Sequence, residues 1–266
     1  MDETTTAKLG SPVLRRTGIR TDNWWLQPTL VVSGLTFFGI YSIWAAWQNA
    51  HFEFGPYLSP FYSPHIPEGV LASIGLPRDG IWRNLFSPAF FILWMPLGFR
   101  LTCYYYRKAI YRSFLADPAG CAVKEPAIRK TYRGESGFPF ILMNAHRYFL
   151  YLAILVLAVL TYDLVLAFIW PDGFGIGVGT LVMLANVLLL AGFTLGCNSA
   201  RHLVGGQLDC FSCDNFSKTG YKGWKFVSTL NKKHMMWAWL SLVSVGITDV
   251  YIRLCSMGII TDVRLF

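Results

Sequence analysis

Five side chains able to bind a soft or borderline metal stand in one connection: Cys197, His202, Cys210, Cys213 and His234. Cys210 and Cys213 have chelate spacing, because two thiolates three positions apart in a turn can reach one metal, and histidine adds neutral imidazole nitrogen. Two cysteines with two histidines suit a structural zinc, or a [2Fe-2S] cluster in which histidine replaces cysteine on one iron. His202 and His234 flank the Cys210–Cys213 pair and are the expected partners, with His146 as the alternate. Cys197 fits less well, since five residues before His202 it points about 140° away on an ideal helix.

The elements that must carry these residues are set by hydropathy. Of 266 residues, 54% are hydrophobic and 14% charged, far below the roughly 25% charged of a soluble domain. Five apolar stretches approach or exceed the span threshold of about 18 residues: Leu30 to Trp47, Pro88 to Tyr106, Tyr148 to Trp170, Ile176 to Cys197 and Met235 to Met257. Runs this long satisfy their backbone in lipid only as helices. The expected fold is therefore all-α, a bundle of five transmembrane helices covering residues 30–266 behind a polar arm of residues 1–29. A proline- and aromatic-rich outer loop, 48–87, and the ligand-bearing loop, 197–234, are its long connections.

Eighteen Lys and Arg residues fall in the arm, the second connection and the fourth, against Arg78, Arg83, Arg253 and Arg264 on the other side. The positive-inside rule then places the N-terminus, and the ends bearing His146, His202 and His234, in the cytoplasm. That side is reducing, which favours metal binding over a disulfide for Cys210 and Cys213. The net charge of +8 is foremost a topology signal, and no nucleic-acid-binding motif accompanies it. The first apolar run lacks a small-residue cleavage site and reads as a retained anchor.

Within the spans, Pro96 and Gly98 predict a kink, and Arg100 must turn inward, as a contact for a bound ligand or as a paired structural residue. Cys103 reads as a small core hydrophobe, and His51 and His65 as surface residues of the outer loop. Toward the far side lie Tyr162 and Asp163, and Asp249, Tyr251 and Arg253, about 22 to 29 Å from the histidine layer along a straight helix. Intramembrane acids are by default functional, although Asp249 and Arg253 are spaced to neutralise each other. A transporter is disfavoured, because no internal repeat or paired broken helices are visible.

Several stretches resemble the membrane-anchor, cytochrome b-like subunit of succinate dehydrogenase (respiratory complex II) in its single-chain five-helix form: YRGE at 132–135, NAHRYFLYLA at 144–153, RHLVGG at 201–206 and LNKKHMMWAWLSLVSVGITDVYIRL at 230–254. The resemblance covers roughly the C-terminal half, with YLSPFYSP as weaker support. It implies a bacterial plasma-membrane protein that docks an iron-sulfur subunit, itself bound to a succinate-oxidising flavoprotein, and passes electrons to quinone. Dihaem anchors of this kind use four axial histidines in both membrane halves, whereas the first and second spans here contain no histidine and the third to fifth carry it only at their cytoplasmic ends. The expectation is a Rieske-type [2Fe-2S] cluster on Cys210, Cys213, His202 and His234, with one haem b between His146 and His234, or a structural zinc in a non-redox anchor, as alternatives. Quinone is expected near Tyr162, Asp163, Asp249, Tyr251 and Arg253, or alternatively near Arg100, Arg147 and Tyr148.

Overall fold

The computed structural model describes residues 22–73, 75, 81–120, 123, 125, 135–138 and 140–266. Most of the N-terminal arm, including Lys8, Arg15, Arg16 and Arg20, lies outside the described residues, as do Arg78, Lys124, Arg129, Lys130, Arg133 and most of the YRGE stretch. The rest is mainly helical. In chain order come α1 (Leu26–Gln48), α2 (Glu68–Ser73), α3 (Ile81–Leu85), α4 (Pro88–Thr102), α5 (Tyr104–Phe114), α6 (His146–Leu166), α7 (Val178–Leu195), α8 (Asn198–Gly205), α9 (Asn215–Asn231) and α10 (His234–Ser256). Two-residue strands form two small hairpins, β1 (Glu53–Phe54) with β2 (Tyr57–Leu58) and β3 (Ile169–Trp170) with β4 (Gly173–Phe174).

Among the described residues four helices are long and apolar enough to cross a bilayer: α1, α6 with the 3-10 turn before it, α7 and α10. The expected second span, Pro88 to Tyr106, is not one helix. It divides into the 15-residue α4 and the more polar α5, and Cys103 stands between them with extended backbone (φ −62°, ψ 130°), capping the end of one and the start of the other. Pro96, which with Gly98 predicts a kink, lies inside α4, and the helix continues to Thr102 before the break. Irregular backbone at membrane depth is tolerated where protein surrounds it, and Cys103 is 3% exposed.

The bundle packs α10 against α7, α4 against α6, and α6 against α7. Two glycines permit close approach where the inner end is assembled: a Cβ on Gly98 would overlap the Phe149 ring, and one on Gly192 would come within 2.8 Å of the Trp237 indole. Lipid-facing positions account for exposed apolar side chains such as Phe37, Ile40 and Ile43 on α1. At the opposite end from His146 and His234 the chain after α1 folds back into the bundle. Asn49 ends α1 in the left-handed conformation (φ 46°), a common helix stop. Tyr57, Phe61 and Tyr62 then bury their rings among the outer halves of the long helices.

Candidate functional site

At one end of the bundle, His146 and His234 are the first residues of α6 and α10. Each ring lies on a phenylalanine: His146 on Phe99 with centroids 4.7 Å apart, His234 on Phe193 at 5.1 Å. Phe99 and Phe193 meet edge to face at 5.3 Å, so the two imidazoles are fixed on either side of one aromatic pair. Thr102 Oγ1 lies 3.0 Å from His146 Nδ1 and holds that ring. His234 has no comparable anchor. Its Nε2 is 3.5 Å from Cys103 Sγ, and its buried Nδ1 makes no well-formed hydrogen bond among the described residues, the Gly196 backbone being the polar group it faces.

The second thiol nearby is Cys197. It caps the start of α8, where Ala200 N–H donates to Cys197 Sγ at 3.3 Å, and it belongs to the same buried cluster as Cys103, Phe99 and Phe193. Asn231 Nδ2 donates to the Gly196 carbonyl at 2.8 Å, tying the chain just before α10 to the chain just before Cys197. Two thiols and two imidazoles thus gather at one end of the bundle, from the α4–α5 break, the α7–α8 turn and the starts of α6 and α10. Among the described residues no three His, Cys, Asp or Glu side chains converge closely enough for a single metal ion.

The ligand set read from the loop is arranged differently. Cys210 and Cys213 are joined to each other in a disulfide, and His202 is exposed on α8. Of that set only His234 stands in the buried site, and the thiol beside it is Cys103. Cys103 reads in sequence as an ordinary apolar-run residue, and Cys197 as a ligand pointing away from His202. A signal for them did exist: both fall at the ends of apolar runs that the charge count puts on the same side as His146 and His234.

Beside this site lies a cavity of about 330 Å3, bounded by α1, α4, α6, α7 and α10 and almost wholly apolar. Phe99 and Phe193 line it while also carrying the two histidine rings. Arg100 supplies the one charge on its wall. The guanidinium donates to Tyr106 Oη (2.8 Å), Ala238 O (3.1 Å) and Ser241 Oγ (3.0 Å) and lies 4.6 Å from the Phe193 centroid. Arg147 and Tyr148 are exposed on α6 and do not line the cavity.

The outer polar residues form a clamp. Asp249 accepts from Ser59 and Tyr41 hydroxyls and from Arg253 Nε at 2.7 Å. Arg253 spends its other donors on Gln48 Oε1 (2.8 Å), Ala50 O (2.7 Å) and Ala45 O (2.9 Å), closing the end of α1. Asp163 accepts from Ser63. Asp262 accepts from Tyr57 (2.8 Å) and Tyr251 (2.6 Å). Burial, ahead of the Asp262 carboxylate, pushes the Tyr57 phenol up to about 12, so it stays a donor. Tyr162 is exposed beside Asp163 in a separate outer groove of about 480 Å3.

Fold and site together define a helical integral-membrane protein with two buried thiols and two half-buried imidazoles abutting an apolar cavity. Residues 26–258 match the family described as actinobacterial succinate dehydrogenase subunit SdhC. The chain belongs to that family, and it is the membrane subunit of a succinate dehydrogenase complex. It is similar to a chain of the Mycobacterium smegmatis Sdh1 complex, solved in the apo form, at 42% identity and TM-score 0.80, over 96% of this chain and 97% of that one. No curated protein matches it.

Proposed function

We propose that this subunit anchors an iron-sulfur subunit and a flavoprotein to the bacterial plasma membrane and carries their electrons to quinone through a Rieske-type [2Fe-2S] cluster. In this reading the chain crosses the membrane five times, with α4 as the short crossing, and begins in the cytoplasm. Cys103, Cys197, His146 and His234 hold the cluster, in place of the Cys210, Cys213 and His202 of the sequence reading. The observation that carries this choice is the half-buried His234, whose Nε2 lies beside Cys103 Sγ at the buried cluster that also holds Cys197. When bound, such a centre supplies one-electron transfer at a higher potential than an all-cysteine cluster.

The chain's own residues do the rest. Phe99 and Phe193 orient the imidazoles and form the wall between them and the cavity, which we assign to quinone. An apolar slot with few polar groups is what a quinone ring and its tail require. Arg100 fixes Phe193 from the cavity side. The outer acids are engaged in holding the loop after α1, so the deeper quinone site expected from Tyr162, Asp163, Asp249, Tyr251 and Arg253 has less support than the alternate built on Arg100.

Low-temperature EPR and iron analysis of the purified, reduced complex test the assignment. Cys103→Ala and His234→Ala should abolish a Rieske-like signal and its two irons, whereas Cys210→Ala should keep both. Loss on Cys210→Ala with retention on Cys103→Ala would return the cluster to the loop.

A further inference from the structure

Arg100 is a cation in the apolar interior of the bundle, and among the described residues no carboxylate pairs with it. Its three acceptors are neutral: a phenol, a backbone carbonyl and a serine hydroxyl. Contrast Arg253 in the outer half, which is bonded to Asp249 at 2.7 Å. An intramembrane charge left unneutralised is costly, and placing one beside a functional centre calls for a negative charge that is present for part of the cycle.

The location says which charge that is. The guanidinium lies over Phe193, on whose ring His234 also rests. It is also locked in place. Tyr106 both accepts from Arg100 and donates to Ala238 O at 2.7 Å, so cation, phenol and α10 backbone form a closed triangle. Tyr106 is 2% exposed, and screening by salt is weak at such depth.

We infer that Arg100 is the positioning residue that sets the reduction potential of the metal centre held by Cys103, Cys197, His146 and His234. This rests on the cluster reading above. A centre with two thiolates, two sulfides and two neutral imidazoles gains one negative charge when it accepts one electron, which the succinate-oxidising partners supply and the quinone removes. A fixed cation stabilises the reduced form more than the oxidised one, because only the added charge differs between them. Arg100 therefore raises the potential and favours filling the centre from the donor side.

The test is a redox titration of the EPR signal in the purified complex carrying Arg100→Gln, Arg100→Lys or Tyr106→Phe. Arg100→Gln should lower the midpoint by at least the equivalent of a tenfold change in the reduction equilibrium, 59 mV for one electron. Arg100→Lys should lie near the unmodified complex, since charge and not shape carries the effect. Tyr106→Phe, which frees the guanidinium, should fall between. The spin count in each variant shows whether the centre is intact. An unmodified complex without a Rieske-like signal would overturn the cluster reading itself. A full signal whose midpoint is unmoved by Arg100→Gln, or moved equally by Arg100→Lys, would overturn this inference alone.

Discussion

At the scale of single residues, the inner site depends on side chains whose roles diverge although their chemistry is shared. Six cysteines occur in the chain, and motif spacing singles out Cys210 and Cys213 because they are close in sequence. Cys103 and Cys197 stand ninety-four positions apart and meet only because α4 breaks where α7 turns into α8. No periodicity marks that meeting. What was legible was His234, because it opens an apolar run on the charged side of the membrane. Phe193 offers a separate check: Phe193→Leu removes the ring shared by His234 and Arg100 and should change the EPR line shape while leaving the iron content unaltered. Unaltered spectra would show that the ring does not orient the imidazole.

At the scale of elements, the long helices were readable because apolar runs in lipid have few alternatives, whereas the division of the second run at Cys103 was not. Pro96 marks the middle of the run, whereas the helix ends six residues later. The loop after α1 was legible as an aromatic, proline-rich stretch but not as a clamp, since Ser59, Ser63 and Tyr41 carry no motif that pairs them with distant acids. Breaking a buried ion pair by removing one partner costs about 3–5 kcal/mol. Asp249→Ala should lose about that much in chemical denaturation of the detergent-solubilised complex, with quinone reductase activity per folded molecule little changed. A normal stability with lost activity would restore Asp249 to the quinone site. Tyr57→Phe, which deletes one bond to the Asp262 carboxylate, should cost about 1.5–3 kcal/mol by the same assay.

At the scale of the whole molecule, the charge asymmetry predicts orientation. A thiol-reactive, membrane-impermeant reagent applied to reduced, sealed inside-out vesicles should label Cys213, which is exposed, and should not do so in right-side-out vesicles; the reverse pattern would invert the bundle. The same face carries the α5 extension, where Arg112 Nη1 lies 2.8 Å from Glu125 Oε2. Hydrogen bonds from Arg112, then from the Gly120 N–H, hold the Glu125 carboxyl below its usual value. A carboxylate depressed in the folded state contributes stability above its unfolded value, about 4.3, and loses it as pH falls through the lower folded value. Proteolysis of this loop should therefore be constant from neutral pH down to about 4.3 and accelerate only in stronger acid. Glu125→Gln should be cut faster at neutral pH. Equal cutting of both proteins would show that the pair does not hold the loop.

The clamp formed by Asp249, Arg253, Tyr57 and Asp262 has an energetic meaning for the cell. On the quinone site and orientation proposed above, with the outer acids committed to fixed bonds, the two protons that accompany quinone reduction would be drawn from the compartment that also delivers the electrons. No net charge would then cross the bilayer during turnover. The reaction would neither build nor draw on the membrane voltage, and its rate in sealed vesicles should be indifferent to an ionophore that collapses that voltage.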